Sequence, residues 1–132
     1  MQSVKRPLSP HLGHYKLPML ALLSITHRIT GVALCAGALL LVYWLMALAG
    51  GPESYAQAHS ILTSAFGYIV LIAFSWAMYY HLCNGIRHLF WDIGKNLSIE
   101  GAEASGKATL LVSSLLTVFT WILAHAMSGG GA

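Results

Sequence analysis

Residues 29–48 read ITGVALCAGALLLVYWLMAL, twenty residues without one charged side chain. A bilayer core needs about 20 apolar residues in a helix that rises about 1.5 Å per residue. Residues 61–80, ILTSAFGYIVLIAFSWAMYY, repeat the feature. Residues 108–127, ATLLVSSLLTVFTWILAHAM, repeat it with a single histidine near the end. Runs of this length span as helices, because lipid offers the backbone no hydrogen-bond partner. The prediction is an all-α integral membrane protein of one domain, residues 1–132. Three transmembrane helices fall at about 20–49, 60–93 and 105–127, after an N-terminal segment 1–18.

The composition excludes the other classes. Hydrophobic residues make up 57% of the chain and charged ones 8%, against about 25% charged in soluble domains. A soluble fold of this size has too little interior for so much apolar surface. The same hydrophobicity excludes a disordered chain. The two cysteines, Cys35 and Cys83, each sit inside an apolar run and form neither CxxC nor CxxCH. They read as buried thiols and not as a redox pair or a haem attachment site.

The connectors are short. Residues 50–54, GGPES, break the chain after the first span, and Pro52 suits the start of a turn or interfacial helix. All seven basic residues fall on one side of a three-span arrangement. Lys5, Arg6, Lys16 and Arg28 stand at the start of the first span, Arg87 closes the second, and Lys95 and Lys107 follow it. The positive-inside rule places that side in the cytoplasm, with the N-terminus there and the C-terminus periplasmic. The net charge of +3 therefore concerns orientation and predicts no nucleic-acid partner. Residues 1–16 lack the apolar core of a signal peptide, so a bacterial inner membrane is the expected location.

Ionisable residues at membrane depth cost roughly 2.5–3.5 kcal/mol each on insertion scales, so each needs a reason. Ser24, His27 and Arg28 are three and four residues apart and share a helical face near the cytoplasmic end of the first span. A hydroxyl and a cation there suit a carbonyl or carboxylate ligand. Snorkelling of Arg28 to headgroups, with Ser24 bonded back to its own helix, would account for them equally. His81, Gly85, His88 and Asp92 recur at spacings of four, three and four on one face of the second span. A neutral imidazole at the depth of His81 suits an axial haem ligand, and Gly85 leaves room for a flat macrocycle or a neighbouring helix. An interhelical hydrogen bond is the plainer role for such a histidine. His81 and His88 cannot both ligate one iron, since they lie about 10 Å apart on the same side of one helix. A second axial ligand would have to come from another helix or chain. Arg87 and Asp92 are candidates for an ion pair or for binding interfacial groups.

The whole chain resembles the cytochrome b, or C-type, membrane anchors of the succinate:quinone oxidoreductases of respiratory complex II. Arg6-Pro7-Leu8-Ser9-Pro10-His11-Leu12 is similar to the family's N-terminal element. Ser24-Ile25-Thr26-His27-Arg28-Ile29-Thr30-Gly31 is similar to its S-x-x-H-R-x-[ST]-G signature. His81-x-x-x-Gly85-x-Arg87-His88-Leu89-x-x-Asp92 is similar to its second signature. The resemblance implies that the three helices form half of a two-subunit membrane bundle. It implies one haem b, with His81 as an axial ligand and the other ligand given by a second membrane-anchor subunit. Ser24 and Arg28 would line the ubiquinone site, and His27, Arg28, Gly85 and His88 would lie at the haem pocket or propionates. The implied partners are an iron–sulfur subunit and a flavoprotein subunit, so the chain would act only as part of an enzyme.

Two other classes compete. A small transporter would explain buried polar groups but not their clustering at one membrane face. A structural assembly subunit would use the histidines for packing alone. Within the redox class, a fumarate reductase anchor and a menaquinone-linked relative are the alternatives.

Overall fold

The computed structural model describes residue 8 and residues 12–129. Most of the N-terminal RPLSPHL element, including His11, lies outside the described residues, as do Lys5 and Arg6. A short 3-10 turn, Leu12–His14, precedes four helices: α1 Met19–Ala49, α2 Pro52–Leu62, α3 Ala65–Asp92 and α4 Ile99–Gly129. Among the described residues there is no strand. Three helices, α1, α3 and α4, are long and apolar enough to cross a membrane.

Helix α1 begins after Pro18, whose extended backbone stands just outside the helix and whose carbonyl accepts from Ala21 and Leu22. It has 31 residues, about 46 Å at 1.5 Å per residue. Gly51, at φ +98°, adopts a conformation that side-chain-bearing residues avoid, and Pro52 then opens α2 at a position that tolerates a missing N–H. This confirms Pro52 as the start of a short helix. Helix α2 packs on α1 and α3 with Ala58 fully buried, and Tyr55 meets Trp44 edge-on at 6.4 Å.

Helix α3 starts at Ala65, not near residue 60. Residues 60–62 belong to α2, and the chain breaks at Thr63 and Ser64. The Ser64 hydroxyl caps the new helix by accepting from the Gly67 amide at 3.1 Å, the usual service of a serine N-cap. Gly67 has no room for a side chain, because the Ile61 and Leu62 carbonyls fill the space where one would start. Helix α4 begins at Ile99, six residues ahead of the apolar run's expected helix. Ser98 accepts from the Gly101 amide at 3.1 Å, and Glu100 stands in the first turn, where a negative charge favours the helix.

Helix α3 lies between α1 and α4 and packs on both. Its two sides carry different chemistry. The pattern of burial is inverted relative to a soluble protein. The buried set includes Thr30, Asn84, Arg87, Thr109, Ser113 and Thr117, whereas Leu39 and Phe66 are 73% and 75% exposed. Apolar side chains facing outward and small or polar ones facing inward suit hydrocarbon surroundings. Ala102, Gly106, Thr109, Ser113 and Thr117 form the buried side of α4, and Leu23 of α1 fits where a side chain at Gly106 would stand. The expectation of buried thiols does not hold for Cys35, which is exposed on α1; Cys83 is part-buried, and both are free. A cysteine is apolar enough to face lipid, so an apolar run alone does not fix its side.

Candidate functional site

His81 turns toward α1. Its Nδ1 lies 3.2 Å from the His27 carbonyl oxygen and 3.2 Å from Thr30 Oγ1. A carbonyl only accepts, so Nδ1 carries the proton and donates it. The ring's other nitrogen, Nε2, is then the one with the free lone pair, and it makes no hydrogen bond among the described residues. This is the tautomer an imidazole needs to ligate a metal through Nε2.

The fit on α1 depends on Gly31. A Cβ there would stand 3.2 Å from His81 Cε1, so the glycine lets the imidazole lie close to the helix. The His27 ring stacks on His81 with centroids 4.0 Å apart and planes 19° apart. His27 also meets His88, with centroids 5.3 Å apart, and Trp91 stands edge-on to His88 at 4.9 Å. The structure therefore brings His27, His81 and His88 into one cluster between α1 and α3. His27 Nδ1 is buried without a hydrogen-bond partner. A Cβ added at Gly85 meets nothing within 4 Å, so this glycine serves no packing inside the chain.

Ser24 and Arg28 are exposed, whereas His27 between them is half-buried. The shared face splits accordingly. His27 turns to α3, and the hydroxyl and guanidinium stay on the outside of α1, open to a ligand or a neighbouring subunit.

The Arg87–Asp92 ion pair is not formed. Arg87 is buried and points to α4, where it donates from Nε to Ser105 Oγ at 3.0 Å and from Nη2 to the Ala102 carbonyl at 2.8 Å. Nη1 donates to Asn84 Oδ1 at 3.1 Å, and the guanidinium lies 4.1 Å over the Trp91 ring. Asp92 is exposed. Residues five apart point about 140° away from each other on a helix with 3.6 residues per turn, which is the physical reason. Arg87 thus joins helices and stands on the side of α3 away from His81.

Sequence reasoning missed the part played by Thr30, although it stands inside the first signature. Its pairing with His81 spans 51 positions and is visible only after α1 and α3 pack. The same holds for Tyr80, fully buried, whose hydroxyl donates to the Leu23 carbonyl at 2.8 Å.

Among the described residues no three His, Cys, Asp or Glu side chains converge as a metal-binding set. The chain instead presents one imidazole nitrogen with a fixed tautomer, beside a glycine that leaves space. Such a site suits a prosthetic group whose iron needs only axial ligands from protein.

Fold and site together define a three-span helical membrane subunit with a histidine cluster near one end of the bundle. Residues 2–127 match the family described as succinate dehydrogenase/fumarate reductase transmembrane subunit. The chain is 47% identical over 118 residues to the succinate dehydrogenase cytochrome b556 subunit of Paracoccus denitrificans, covering 89% of this chain and 91% of that one. It is 46% identical to the corresponding subunit of Rickettsia felis, covering 89% and 92%. It is 37% identical to the mitochondrial succinate dehydrogenase cytochrome b560 subunit of Bos taurus, covering 88% and 70%. The chain belongs to this family, and within it to the succinate dehydrogenase cytochrome b subunits, membrane anchors of complex II.

Proposed function

We propose that this chain binds haem b through His81 and forms part of a ubiquinone-reduction site through Ser24 and Arg28. The observation that carries the reading is the state of His81. Its Nδ1–H is held by the His27 carbonyl and Thr30, which leaves Nε2 as the ligating nitrogen. Gly85, with nothing inside the chain against it, suits the face of a macrocycle. In this reading His27 and His88 lie near the haem propionates, and Arg28 serves a propionate or the quinone. Among the described residues His27 stacks face to face on His81 and His88 lies on the same side of the same helix, so neither can face His81 across one iron; in this reading a second membrane-anchor subunit would give the other ligand, and the chain would be half of a two-subunit bundle. The names of the relatives, cytochromes b of succinate dehydrogenase, support haem b as the group.

A bound haem would supply a one-electron carrier, held by His81. The chain's own residues bind and orient. Quinone reduction places negative charge on the carbonyl oxygens, and preorganised donors stabilise such charge. The Ser24 hydroxyl donates to one oxygen, and the fixed charge of Arg28 attracts it. Both are exposed on α1, where a partner's surface closes the pocket. Succinate is oxidised in the flavoprotein subunit, and the iron–sulfur subunit delivers the electrons. The basic residues grouped at one membrane side support a cytoplasmic N-terminus and a periplasmic C-terminus in a bacterial inner membrane, and in this reading the two soluble partners sit on the cytoplasmic side. The isolated chain is not catalytic.

The test is a dithionite-reduced minus oxidised spectrum of the purified complex containing this chain. A sharp b-type α band is expected. A correctly assembled complex without it would leave His81 as a packing residue and the subunit without a haem.

A further inference from the structure

We propose that Thr30 is a positioning residue for the haem ligand: its hydroxyl and the His27 carbonyl form a two-acceptor seat that fixes where His81 Nε2 points and how strongly it donates. The proposal deepens the reading of His81 as an axial ligand and rests on it.

Three contacts restrain the His81 ring, and they do different things. Stacking on His27, at 4.0 Å and 19°, fixes the plane of the ring. A stacked ring can still turn within its plane. Gly31 lies at the Cε1 edge, where an added Cβ would stand 3.2 Å away; carrying none, it leaves that edge of the ring unrestrained. The remaining freedom is removed at Nδ1. Thr30 Oγ1 and the His27 oxygen each lie 3.2 Å from it, so one N–H is shared by two acceptors and is directed between them. Rotation in either direction favours one acceptor and loses the other. Nε2, on the far side of the five-membered ring, is aimed by the same restraint.

The role of Thr30 in that pair is fixed as well. Its own proton goes to the His27 carbonyl at 2.9 Å, the back-bond a helical threonine commonly makes. The oxygen therefore meets the His81 N–H with a lone pair. β-Branching limits the rotamers of Thr30, and the residue is 4% exposed, so this lone pair does not swing away. A residue kept only for packing between α1 and α3 would need the shape of threonine but not its hydroxyl. The hydroxyl adds acceptor strength at the nitrogen opposite the ligating one, and such partners orient a metal-bound imidazole and raise its basicity.

The experiment uses the assembled complex with Thr30→Val, which keeps the shape and removes the hydroxyl. Haem content, the g-values of the ferric haem by electron paramagnetic resonance, and the haem midpoint potential are measured. The expected result is haem retained, a shifted largest g-value and a raised midpoint, because a weaker imidazole donor stabilises ferric iron less. Thr30→Ser, which restores the hydroxyl, returns both close to the unsubstituted complex. Unchanged g-values, or a midpoint that stays or falls, in haem-loaded Thr30→Val overturn the proposal. Should Thr30→Val fail to assemble, Thr30→Ala removes the hydroxyl without the branched side chain and is read in the same way. His81→Ala is measured alongside. Haem retained there overturns the ligand assignment itself, whereas haem lost there with an unmoved Thr30→Val overturns the role of Thr30 alone.

Discussion

The ring of Phe74 on α3 occupies the space where a side chain at Gly37 on α1 would begin. The two residues interlock, and Gly37 is buried as a result. Close approach of this kind replaces the hydrophobic effect as the force between helices in lipid. Gly37→Ala forces the ring aside and should lower the thermal stability of the complex by about 1–3 kcal/mol, the usual cost of overpacking. Gly37→Ala combined with Phe74→Leu should recover part of it. Loss of haem absorbance on heating reports both, and strictly additive losses would show that the two residues do not share one space.

Gly31 faces the His81 imidazole. A methyl group there would stand 3.2 Å from His81 Cε1, tighter than ordinary contact, so Gly31→Ala tilts the imidazole. The expected outcome is a broadened or shifted α band with lowered haem content and an intact helical far-ultraviolet spectrum. An unaltered band at full occupancy would show that the ring yields without consequence.

Arg87 and Asp92 should behave as strangers. Arg87 holds α3 to α4 through Ser105 and Ala102, and its loss leaves a buried Asn84 oxygen without its donor. Arg87→Met should reduce stability by several kcal/mol, since removing one member of a buried polar group is costly. Asp92→Asn should stay within about 0.5 kcal/mol, as surface substitutions usually do. Thermal melting of the two variants decides, and equal destabilisation would restore the ion pair.

The quinone assignment separates two activities. Arg28→Leu should lower quinone reduction on the order of a hundredfold, the scale of losing one preorganised charge-stabilising donor, and Ser24→Ala should lower it less. Succinate oxidation with a soluble dye acceptor should survive in both. Parallel loss of both activities would point to assembly instead of quinone binding.

The spans are legible in the sequence because a bilayer imposes a length and penalises charge, and a soluble fold of this size has nowhere to bury three twenty-residue apolar runs. The turn at Gly51-Pro52 is legible for a similar reason, since both residues set the backbone apart from a continuing helix. The break at Ser64 is hidden because Ile61, Leu62, Ala65 and Phe66 continue the apolar run on either side of it. The start of α4 is hidden by Glu100 and Glu103, which read as a loop by polarity and as a helix start by charge. His81 stands out because its period with Gly85 and His88 belongs to one helix. Thr30, Tyr80 and the partners of Arg87 do not, because each acts across helices. Spacing along one helix cannot show which face meets which. The Arg87–Asp92 pairing is the instructive error: nearness in sequence suggested it, and the helical angle between the residues prevents it.

The most direct measurement compares haem content in His81→Ala and His88→Ala complexes by reduced minus oxidised spectroscopy. His81→Ala should lose the b-type α band, because the iron loses an axial nitrogen, while His88→Ala should keep it with at most a small shift. A retained band in His81→Ala, or its loss in His88→Ala alone, would contradict the assignment of His81 as the ligand.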